Sequence, residues 1–323
     1  MAASRIRPSI DLPERVGDFI AARLAPTEHL CVGLSGGCDS VVLLHLLSCL
    51  GLDERLSAIH VNHGLSPNAD AWAAFCAECC GRLEIPLEIV RVAVDARSGL
   101  GLEAAARAAR YAAFADCAAD CLALAHHRGD QAETLLFNLL RGAGVAGAAA
   151  MPPERQLRRQ RLVRPLLSVS RADLEDYARQ HGLHWIDDES NGDLSFSRNF
   201  LRHRVLPGLS ERFPSAEHAL AQAAAHFGEA DELLAQLAAE DWLRCADGEA
   251  ASLRCLRRLS LVRLKNLLRY RLRALGWRVP AANRLDEFAR QVLSAGPDRH
   301  PELVLPDGCL RVGQGRLNCL ARK

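Results

Sequence analysis

Short apolar runs alternate with longer helical patterns through the first 140 residues. Runs typical of buried strands cover residues 29–34, 56–61, 87–94 and 121–125. Segments that repeat apolar positions with a helical period cover residues 11–25, 41–50, 68–83, 102–119 and 130–141. Strands that alternate with helices of this length indicate a parallel sheet covered by helices on both faces. We therefore predict an α/β fold with a doubly wound parallel sheet.

The pattern changes after residue 141. Glycines and a Pro-Pro pair between residues 142 and 153 indicate a loop, and a helical pattern covers residues 170–181. The later patterns are a long connecting helix at 215–245, helices at 256–276 and 281–295, and short strands at 302–305, 309–312 and 317–320. We predict two domains, an α/β domain at residues 1–215 and a helical connector with a smaller α+β domain at residues 216–323.

The composition is that of a globular protein without a membrane segment. Hydrophobic residues make up 49% and charged residues 24% of the 323 positions, and both values are ordinary. The first twenty residues carry several charges and lack the apolar core of a signal peptide. No apolar run approaches the roughly 18 residues of a membrane span. We therefore expect a cytoplasmic protein that does not bind membranes.

Basic residues are concentrated in two segments, although the net charge is only +1. Residues 250–285 contain ten basic residues and no acidic one. The second cluster consists of Arg155, Arg158, Arg159, Arg161 and Arg164. The chain uses Arg almost wherever it could use Lys, which explains part of this abundance but not the absence of acidic residues. Such local basic surfaces suit a polyanion, and a solvated helix face is the alternative.

Residues 35–40, Ser-Gly-Gly-Cys-Asp-Ser, form the most informative local motif, between a predicted strand and a predicted helix. The adjacent glycines let backbone N–H groups turn inward, and the helix N-terminus adds partial positive charge. Ser35 and Ser40 add hydroxyl donors, and Asp39 can hold a divalent cation against phosphate oxygens. Because the segment lacks the Lys of a GxxxxGK[ST] loop, we predict another kind of phosphate loop. A Gly-rich turn capped by Ser is the structural alternative.

Further polar clusters follow two other predicted strands. Asn62 and His63 follow the second strand, and a pair of histidines beginning at His126 follows the fourth. Ligands of doubly wound sheets bind outside the carboxyl ends of the strands, so these clusters should lie near the loop. Asp130 and Glu133 come next, one turn apart at the start of a helix. Carboxylates at such positions cap the helix, and they can also bind Mg²⁺ or an ammonium group.

A charged pair, Glu103 and Arg107, lies four residues apart on one face of the helix predicted at residues 102–119. Such a pair stabilises a helix by only a few tenths of a kcal/mol, about 0.2–0.5. Its predicted position at the mouth of the sheet makes Arg107 a candidate for the site.

The twelve cysteines indicate packed thiols more than a metal site. Most of them lie in apolar runs, where a free thiol behaves as a small hydrophobic group. A disulfide framework is not expected in a cytosolic chain of this size. Cys76 and Cys79 form a CxxC spacing that could ligate zinc or an iron–sulfur cluster, although no second ligand pair stands out. The metal site stays open as the less favoured interpretation.

Taken together, these motifs resemble known enzymes. Ser-Gly-Gly-x-Asp-Ser is similar to the pyrophosphate loop of the N-type ATP pyrophosphatases, the PP-loop superfamily with a Rossmann-like sheet, which split ATP into AMP and pyrophosphate. The ordered segments resemble the tRNA(Ile)-lysidine synthetase family: SGGCDS, HVNHGLS, EAAARAARY, LAHHRGDQAET, LLRGAGVAG and SRNFLRHRVLP. This resemblance implies a ligase that adenylates C2 of the wobble cytidine (position 34) of tRNA(Ile) with a CAU anticodon. Free L-lysine then displaces AMP to give lysidine.

The resemblance also implies roles for individual residues, with ATP and Mg²⁺ as cofactors and Asp39 near the metal ion. The residues implied in ATP binding are Ser35, Gly36, Gly37, Cys38, Asp39, Ser40, His60, Asn62 and His63. Those implied at the reacting centre and the lysine are Asp39, Arg107, His126, Asp130 and Glu133. His126 is one candidate for the base that accepts the lysine proton. The Arg-rich segment at residues 197–204 and the basic segment at residues 250–285 suit tRNA binding, by Arg198, Arg202, Arg257 and Arg258.

Two departures and several alternatives accompany this resemblance. Gly129 stands where members of the family often carry the first of two adjacent aspartates, and residues 188–191 differ from a DPSN-like segment. The chain lacks room for a further large tRNA-binding domain, so we expect a shorter member, and a homodimer is left open. The main alternative is tRNA thiolation by a PP-loop enzyme that uses paired cysteines such as Cys76 and Cys79. Other synthetases with this loop leave the basic segments unused, and the intact loop argues against a non-catalytic RNA-binding protein.

Overall fold

The computed structural model describes residues 11–94, 101–296 and 298–322. The side chains of Glu103, Ser190 and Asn191 lie outside this description, and with them the predicted pair of Glu103 with Arg107. The chain divides into two compact units between Phe227 and Gly228, and the boundary predicted after residue 215 stays a prediction. No helix in the described ranges is both long and apolar enough to cross a membrane.

A six-stranded sheet forms the centre of the first unit. Its strands lie in the order β3-β2-β1-β4-β6-β5, and neighbouring strands are parallel except for β5 with β6. Their bounds are β1 (Leu30–Gly33), β2 (Leu56–Asn62), β3 (Leu87–Arg91), β4 (Cys121–Ala123), β5 (Glu154–Leu157) and β6 (Gln160–Val163). Helices connect the parallel strands β1 to β4, as such crossovers require. The predicted α/β class is confirmed.

The helices of this unit are α1 (Leu12–Ala21), α2 (Cys38–Ser48), α3 (Ala69–Arg82), α4 (Leu102–Asp116), α5 (Arg128–Leu140), α6 (Val145–Ala148), α7 (Arg171–Gln180), α8 (Ser197–Phe200) and α9 (Leu206–Arg212), and α10 (Ala216–Cys245) begins here. Helix α2 is buried on nearly every side and packs against α1 and α7. Its Val42, Leu43, Leu46 and Leu47 are 0% exposed. A helix without a polar face belongs in a core, and this one anchors the loop that precedes it.

The hairpin of β5 and β6 was not predicted, because its arginine-rich sequence resembles the end of a loop. Leu162 and Val163 are fully buried beside β4, and the Gln160 side chain donates to the backbone oxygen of Phe114. The turn between the strands uses Arg158 at φ 51° rather than the Gly or Asn that marks most two-residue turns. The cluster of basic residues therefore lies on an edge hairpin of the sheet.

The second unit is a small α+β structure. Its antiparallel strands lie in the order β7-β8-β11-β10-β9. The strands are β7 (Ala246–Asp247), β8 (Ala250–Ser252), β9 (Glu302–Val304), β10 (Gly308–Gly313) and β11 (Arg316–Ala321), and the helices are α11 (Leu253–Leu256), α12 (Leu261–Ala274) and α13 (Ala282–Ser294). Leu264, Leu268 and Phe288 pack into one core with Leu310. A disulfide joins Cys245 to Cys255, whereas the sequence indicated packed thiols.

Candidate active site at the carboxyl ends of the strands

A cavity of about 380 Å³ opens where β1, β2 and β4 end. The carboxyl ends of parallel strands meet at one edge of a sheet, and ligands bind there in doubly wound folds. The structure therefore brings the predicted polar clusters together. Besides parts of residues 33–40, the polar residues that line the cavity are His60, Asn62, His63, Arg110, Tyr111, His126, Arg171, Asp187, Asp188 and Arg202.

Residues 35–40 form a compact loop held by its own hydroxyl groups. The hydroxyls of Ser35 and Ser40 are 3.0 Å apart, and the Ser40 hydroxyl donates to the backbone oxygen of Gly37 at 2.9 Å. Gly36 has φ 87°, and a Cβ there would lie 2.9 Å from Cδ1 of Ile186. The Ile186 backbone N–H in turn donates to the oxygen of Gly36 at 2.9 Å. Both the backbone angle and the lack of space require glycine.

The loop leads into the N-terminus of α2, which is arranged to receive an anion. Gly37 is the residue before this helix, and no side chain in the described ranges caps it. The first N–H groups of a helix have no partner within the helix and carry partial positive charge. Phosphate oxygens are the usual partners at such a site, so the geometry suits the phosphate role predicted for this loop.

Asp39 presents one free carboxylate oxygen in this loop. Its Oδ2 accepts from Nη1 of Arg171 at 2.6 Å and lies 3.8 Å from Nε2 of His127. Its Oδ1 is buried and has no hydrogen-bond partner among the described residues. Burial raises the pKa of Asp39, although His127 and Arg171 act to lower it. Mg²⁺ is commonly held by one or two carboxylates together with substrate phosphates, so this donor fits the predicted metal role.

Arg171 is a site residue that the sequence did not indicate. It is the first residue of α7, and its Nε also donates to Glu175 at 2.8 Å. No motif surrounds it, and only the packing of α7 against α2 brings it to Asp39. Its guanidinium supplies a positive charge at the phosphate end of the cavity.

Asp130 and Glu133 share one arginine. Nε of Arg202 lies 2.6 Å from Oε1 of Glu133, and Nη2 of Arg202 lies 2.9 Å from Oδ1 of Asp130. Burial acts to raise the pKa of Asp130, but His127, His126 and Arg202 together place it below its usual value. Burial outweighs Arg202 at Glu133, which is 3% exposed, and its pKa is raised. Arg202, predicted to bind tRNA, thus lies in the cavity with its charge compensated.

The two histidines after β4 have different surroundings. Nδ1 of His127 accepts from the Gly129 N–H at 3.0 Å, and Asp130 accepts from the His127 N–H at 2.9 Å, so this pair caps α5. His126 has a buried Nδ1 without a hydrogen-bond partner among the described residues. Burial lowers the pKa of His126 to about 3, and the nearby arginines Arg164 and Arg107 contribute. A neutral imidazole of this kind offers a hydrogen bond but is a weak proton acceptor.

Gly129 is required by the position of His127. A Cβ at residue 129 would lie 2.8 Å from Cε1 of the His127 ring. The same Cβ would lie 3.8 Å from Oε2 of Glu217. An aspartate at this position would therefore displace the capping histidine. The carboxylate of Glu217, which pairs with Arg128 at 2.8 Å, already lies beside Gly129.

The side chains at the end of β2 are engaged in the fold. Nδ1 of His60 donates to the backbone oxygen of Leu34 at 2.9 Å, which leaves Nε2 as an acceptor. The Asn62 amide donates to Asp70 at 3.0 Å and accepts from the Gly64 N–H at 2.9 Å. Burial lowers the pKa of both His60 and His63. These residues line the cavity as predicted, and their part in adenosine binding stays a prediction.

Asp130 and Glu133 contact the cavity lining through Arg202 but, like Gly36, do not line the cavity themselves. Four predicted arginines, Arg107, Arg198, Arg257 and Arg258, do not line it either. Arg107 donates to the Tyr111 hydroxyl at 3.3 Å, and the Arg198 guanidinium lies 5.7 Å from the centre of the Phe137 ring. In the second unit, Arg257 donates to the backbone oxygens of Val292, at 3.2 Å, and Ala295. Arg258 is exposed. The tRNA-binding role of Arg198, Arg257 and Arg258 stays a prediction.

The paired cysteines are packed in the core. Cys76 and Cys79 are 0% and 6% exposed, and burial raises the pKa of both thiols, that of Cys76 to about 12. Among the residues described, no three His, Cys, Asp or Glu side chains are grouped to hold a metal ion. These thiols are therefore protonated and inaccessible, which agrees with the structural interpretation and makes thiolation the weaker alternative.

The fold and this loop define the chain as a PP-loop protein. A model of the PP-loop domain matches residues 10–209, and a model of the TilS substrate binding domain matches residues 252–317. Among solved structures, the chain is similar to the U34-tRNA thiolase NcsA from Methanococcus maripaludis, determined with its [4Fe-4S] cluster. That likeness has a TM-score of 0.59 at 17% identity over 68% of this chain and 78% of the other, and it shows the fold alone.

Relatives with curated names identify the family. The tRNA(Ile)-lysidine synthase of Aromatoleum aromaticum is 50% identical over 90% of this chain and 68% of the relative. The same enzyme from Nitrosomonas europaea is 42% identical over 99% of this chain and 71% of the relative, and that from Pseudomonas aeruginosa is 47% identical over 96% and 73%. The chain belongs to the tRNA(Ile)-lysidine synthase family.

Proposed function

We propose that this chain joins L-lysine to C2 of the wobble cytidine of tRNA(Ile) with a CAU anticodon, at the expense of ATP. The chain matches both a PP-loop domain and a TilS substrate binding domain. The observation that carries the proposal is the arrangement of the cavity. A phosphate loop with the free Oδ1 of Asp39 lies close to the pair of buried carboxylates, Asp130 and Glu133, that hold a cation. ATP and a cationic amine are the two ligands that this pairing suits.

In the first step, the C2 carbonyl oxygen of the cytidine attacks the α-phosphorus of ATP, and pyrophosphate leaves. A carbonyl oxygen is a poor nucleophile, so the protein contributes by positioning and by neutralising charge. The N-terminus of α2, the hydroxyls of Ser35 and Ser40, and Arg171 would bind the phosphates. Asp39 would hold Mg²⁺, and the ion would supply positive charge at the phosphates when bound.

In the second step, the ε-amine of lysine attacks C2 and AMP leaves. The carboxylates that bind the Arg202 guanidinium offer the same acceptors to an ammonium group. The amine must lose a proton before it attacks, and a carboxylate of raised pKa is a better acceptor than an ordinary one. Glu133 has this property, whereas the low pKa of His126 makes the predicted base a weak one. We therefore assign the proton acceptor to Glu133.

The decisive experiment combines the protein with ATP, Mg²⁺, labelled L-lysine and a CAU-anticodon tRNA(Ile) transcript. We expect label in the RNA, with one AMP and one pyrophosphate for each lysine joined. Asp39→Asn should abolish AMP release and leave tRNA binding within about 2-fold, because it removes the metal ligand and the charge at the phosphates. Asp53→Asn, an exposed change at φ 48°, is the matched control. AMP release without lysine in the RNA would show that another nucleophile is used.

A further inference from the structure

The basic cluster at residues 155–164 divides into paired and unpaired arginines. The paired ones are Arg158 with Asp116 at 2.5 Å, and Arg161 with Glu28 at 2.5 Å and with Glu154 at 3.3 Å. Among the side chains that the structure describes, no carboxylate lies within ion-pair distance of Arg155 or Arg164. Arg159 also has no ion pair among these side chains, but it is exposed in the turn of the hairpin. Arg155 and Arg164 are therefore the unpaired arginines of this cluster that lie near Tyr111.

Arg155 and Arg107 both lie against Tyr111, a residue that lines the cavity. The Arg155 guanidinium carbon lies 5.1 Å from the centre of the Tyr111 ring, and that of Arg107 lies 5.0 Å from the same centre. Nη2 of Arg107 also lies 3.3 Å from the Tyr111 hydroxyl. One phenol ring at the cavity wall thus has two guanidinium groups against it.

Arg164 brings a third guanidinium, and this one is buried. Arg164 comes directly after β6 in the chain, and it is only 3% exposed. Nη1 donates to the backbone oxygen of Pro152 at 2.6 Å, and Nε is buried without a hydrogen-bond partner among the described residues. Burial lowers the pKa of Arg164, and the positive charges of Arg155 and Arg107 act in the same direction.

This arrangement costs free energy as it stands. A buried cation without a counter-charge is strongly unfavourable, and like charges around one ring repel each other. The described neighbours offer a phenol and a backbone oxygen, which accept hydrogen bonds but carry no full negative charge. A guanidinium binds phosphate oxygens through paired N–H donors. A bound phosphate would compensate the charges and satisfy the free Nε.

The position of the cluster distinguishes it from the ATP phosphate loop. The charges that act most strongly on Asp39 are those of His127, Arg171, Asp130 and Arg202. Arg164 and Arg107 act instead on His126, at the end of β4, and Arg155 acts on Tyr111. Among the described residues, Arg155, Arg164 and Arg107 make no hydrogen bond or ion pair with residues 35–40, and they surround Tyr111 at the cavity wall instead.

We propose that Arg155, Arg164 and Tyr111 form a phosphate subsite that holds an RNA phosphodiester next to the reacting cytidine. Arg107 lies at the junction between this subsite and the reacting centre. The subsite rests on the proposed function for the identity of the RNA. It would hold the backbone beside an unstacked base, which is how single-stranded nucleotides are presented to an active site.

The test uses a synthetic anticodon stem-loop in two forms. One has only phosphodiester linkages, and the other carries a neutral methylphosphonate linkage beside the target cytidine, with each neighbouring linkage examined in turn. The dissociation constants of both RNAs are measured for the unchanged protein and for Arg155→Gln, an exposed change that leaves the buried Arg164 in place. Arg159→Gln, an exposed arginine in the turn of the same hairpin, controls for general loss of positive charge.

We expect Arg155→Gln to weaken binding of the phosphodiester RNA about 5- to 10-fold, as loss of one charge-assisted contact does. The methylphosphonate at one linkage should weaken binding by the unchanged protein to a similar degree, and Arg155→Gln should then add less than 2-fold. Arg159→Gln should weaken both RNAs equally. An equal effect of Arg155→Gln on every RNA would overturn the proposal.

A second measurement separates the RNA from the nucleotide. If Arg155→Gln weakens binding of a non-hydrolysable ATP analogue in the absence of RNA, the anion is a nucleotide phosphate and the RNA subsite is wrong. Lysine incorporation by the unchanged protein reports on the proposed function independently. If lysine is incorporated but Arg155→Gln weakens binding of every RNA equally, the subsite alone is refuted. If the effect of Arg155→Gln depends on one linkage but no lysine is incorporated, the subsite is supported and the proposed activity is refuted.

Discussion

Nη1 of Arg171 lies 2.6 Å from Oδ2 of Asp39, although 132 positions separate the two residues in the chain. The contact occupies one carboxylate oxygen, and the other, Oδ1, has no hydrogen-bond partner in the described ranges. It also supplies a positive charge that acts against the effect of burial on the pKa of Asp39. The arginine therefore helps to keep this carboxylate ionised and available to a metal ion.

Arg171→Gln should move the acidic limb of the pH–activity profile to higher pH. Burial raises the pKa of Asp39 and Arg171 lowers it, so removal of the arginine raises it further and reduces the ionised fraction at a given acidic pH. Pyrophosphate release measured from about pH 5 to pH 9 tests this shift. Arg179→Gln, on the same helix and paired with Asp176 at the surface, should leave the profile unchanged. Superimposable profiles for the two variants would contradict the proposed role.

Gly129→Ala should destabilise the protein and lower its activity. The new Cβ would lie 2.8 Å from the His127 ring, so the ring must move and the cap of α5 is weakened. Loss of a cap together with steric crowding costs about 1–3 kcal/mol. Thermal denaturation and AMP release measure the two effects. Gly208→Ala, in α9 with no atom within 4 Å of the added Cβ, should be neutral or stabilising. If both variants behave alike, the steric account of Gly129 is wrong.

Arg258→Gln and Arg257→Gln should have separable effects. Arg258 is exposed, so its loss should lower the slope of log Kd for tRNA against log salt concentration by about one, without a change in Tm. Arg257 donates to the backbone oxygens of Val292 and Ala295 at the end of α13. Its replacement should lower the Tm of the protein. An unchanged salt slope in Arg258→Gln would mean that this residue is ordinary solvated surface.

His126→Asn should reduce the dependence of stability on pH. The pKa of His126 is lowered from 6.5 to about 3 in the folded state, so the folded imidazole stays neutral while the unfolded chain takes up a proton below about pH 6.5. The free energy of unfolding therefore falls as the pH decreases from about 6.5 toward 3. The variant should show a slope shallower by up to ~1.4 kcal/mol per pH unit. Urea denaturation at several pH values compares the proteins, and identical slopes would contradict the neutral imidazole.

Much of the first unit could be predicted because its signals are local. Apolar runs of strand length between helical periods place β1 to β4 to within a few residues, and residues 35–40 identify a phosphate loop by short-range backbone requirements. The hairpin of β5 and β6 escaped prediction because its only strong apolar pair is Leu162 and Val163, in a segment dominated by arginine. Strands β7 and β8 are too short to produce a period.

The candidate site also has a part that local sequence signals predict and a part that depends on tertiary contacts. The sequence alone is enough to identify its loop, its histidines and the carboxylates Asp130 and Glu133, because each belongs to one short segment at the end of a strand. It does not indicate that Arg171 pairs with Asp39, or that Arg202 serves the two carboxylates, because these partners are distant in the chain. Sheet order and helix packing decide which charged side chains come into contact, and these contacts determine which buried charges are compensated. The tertiary structure therefore distinguishes arginines paired within the cavity from those that are left for a ligand.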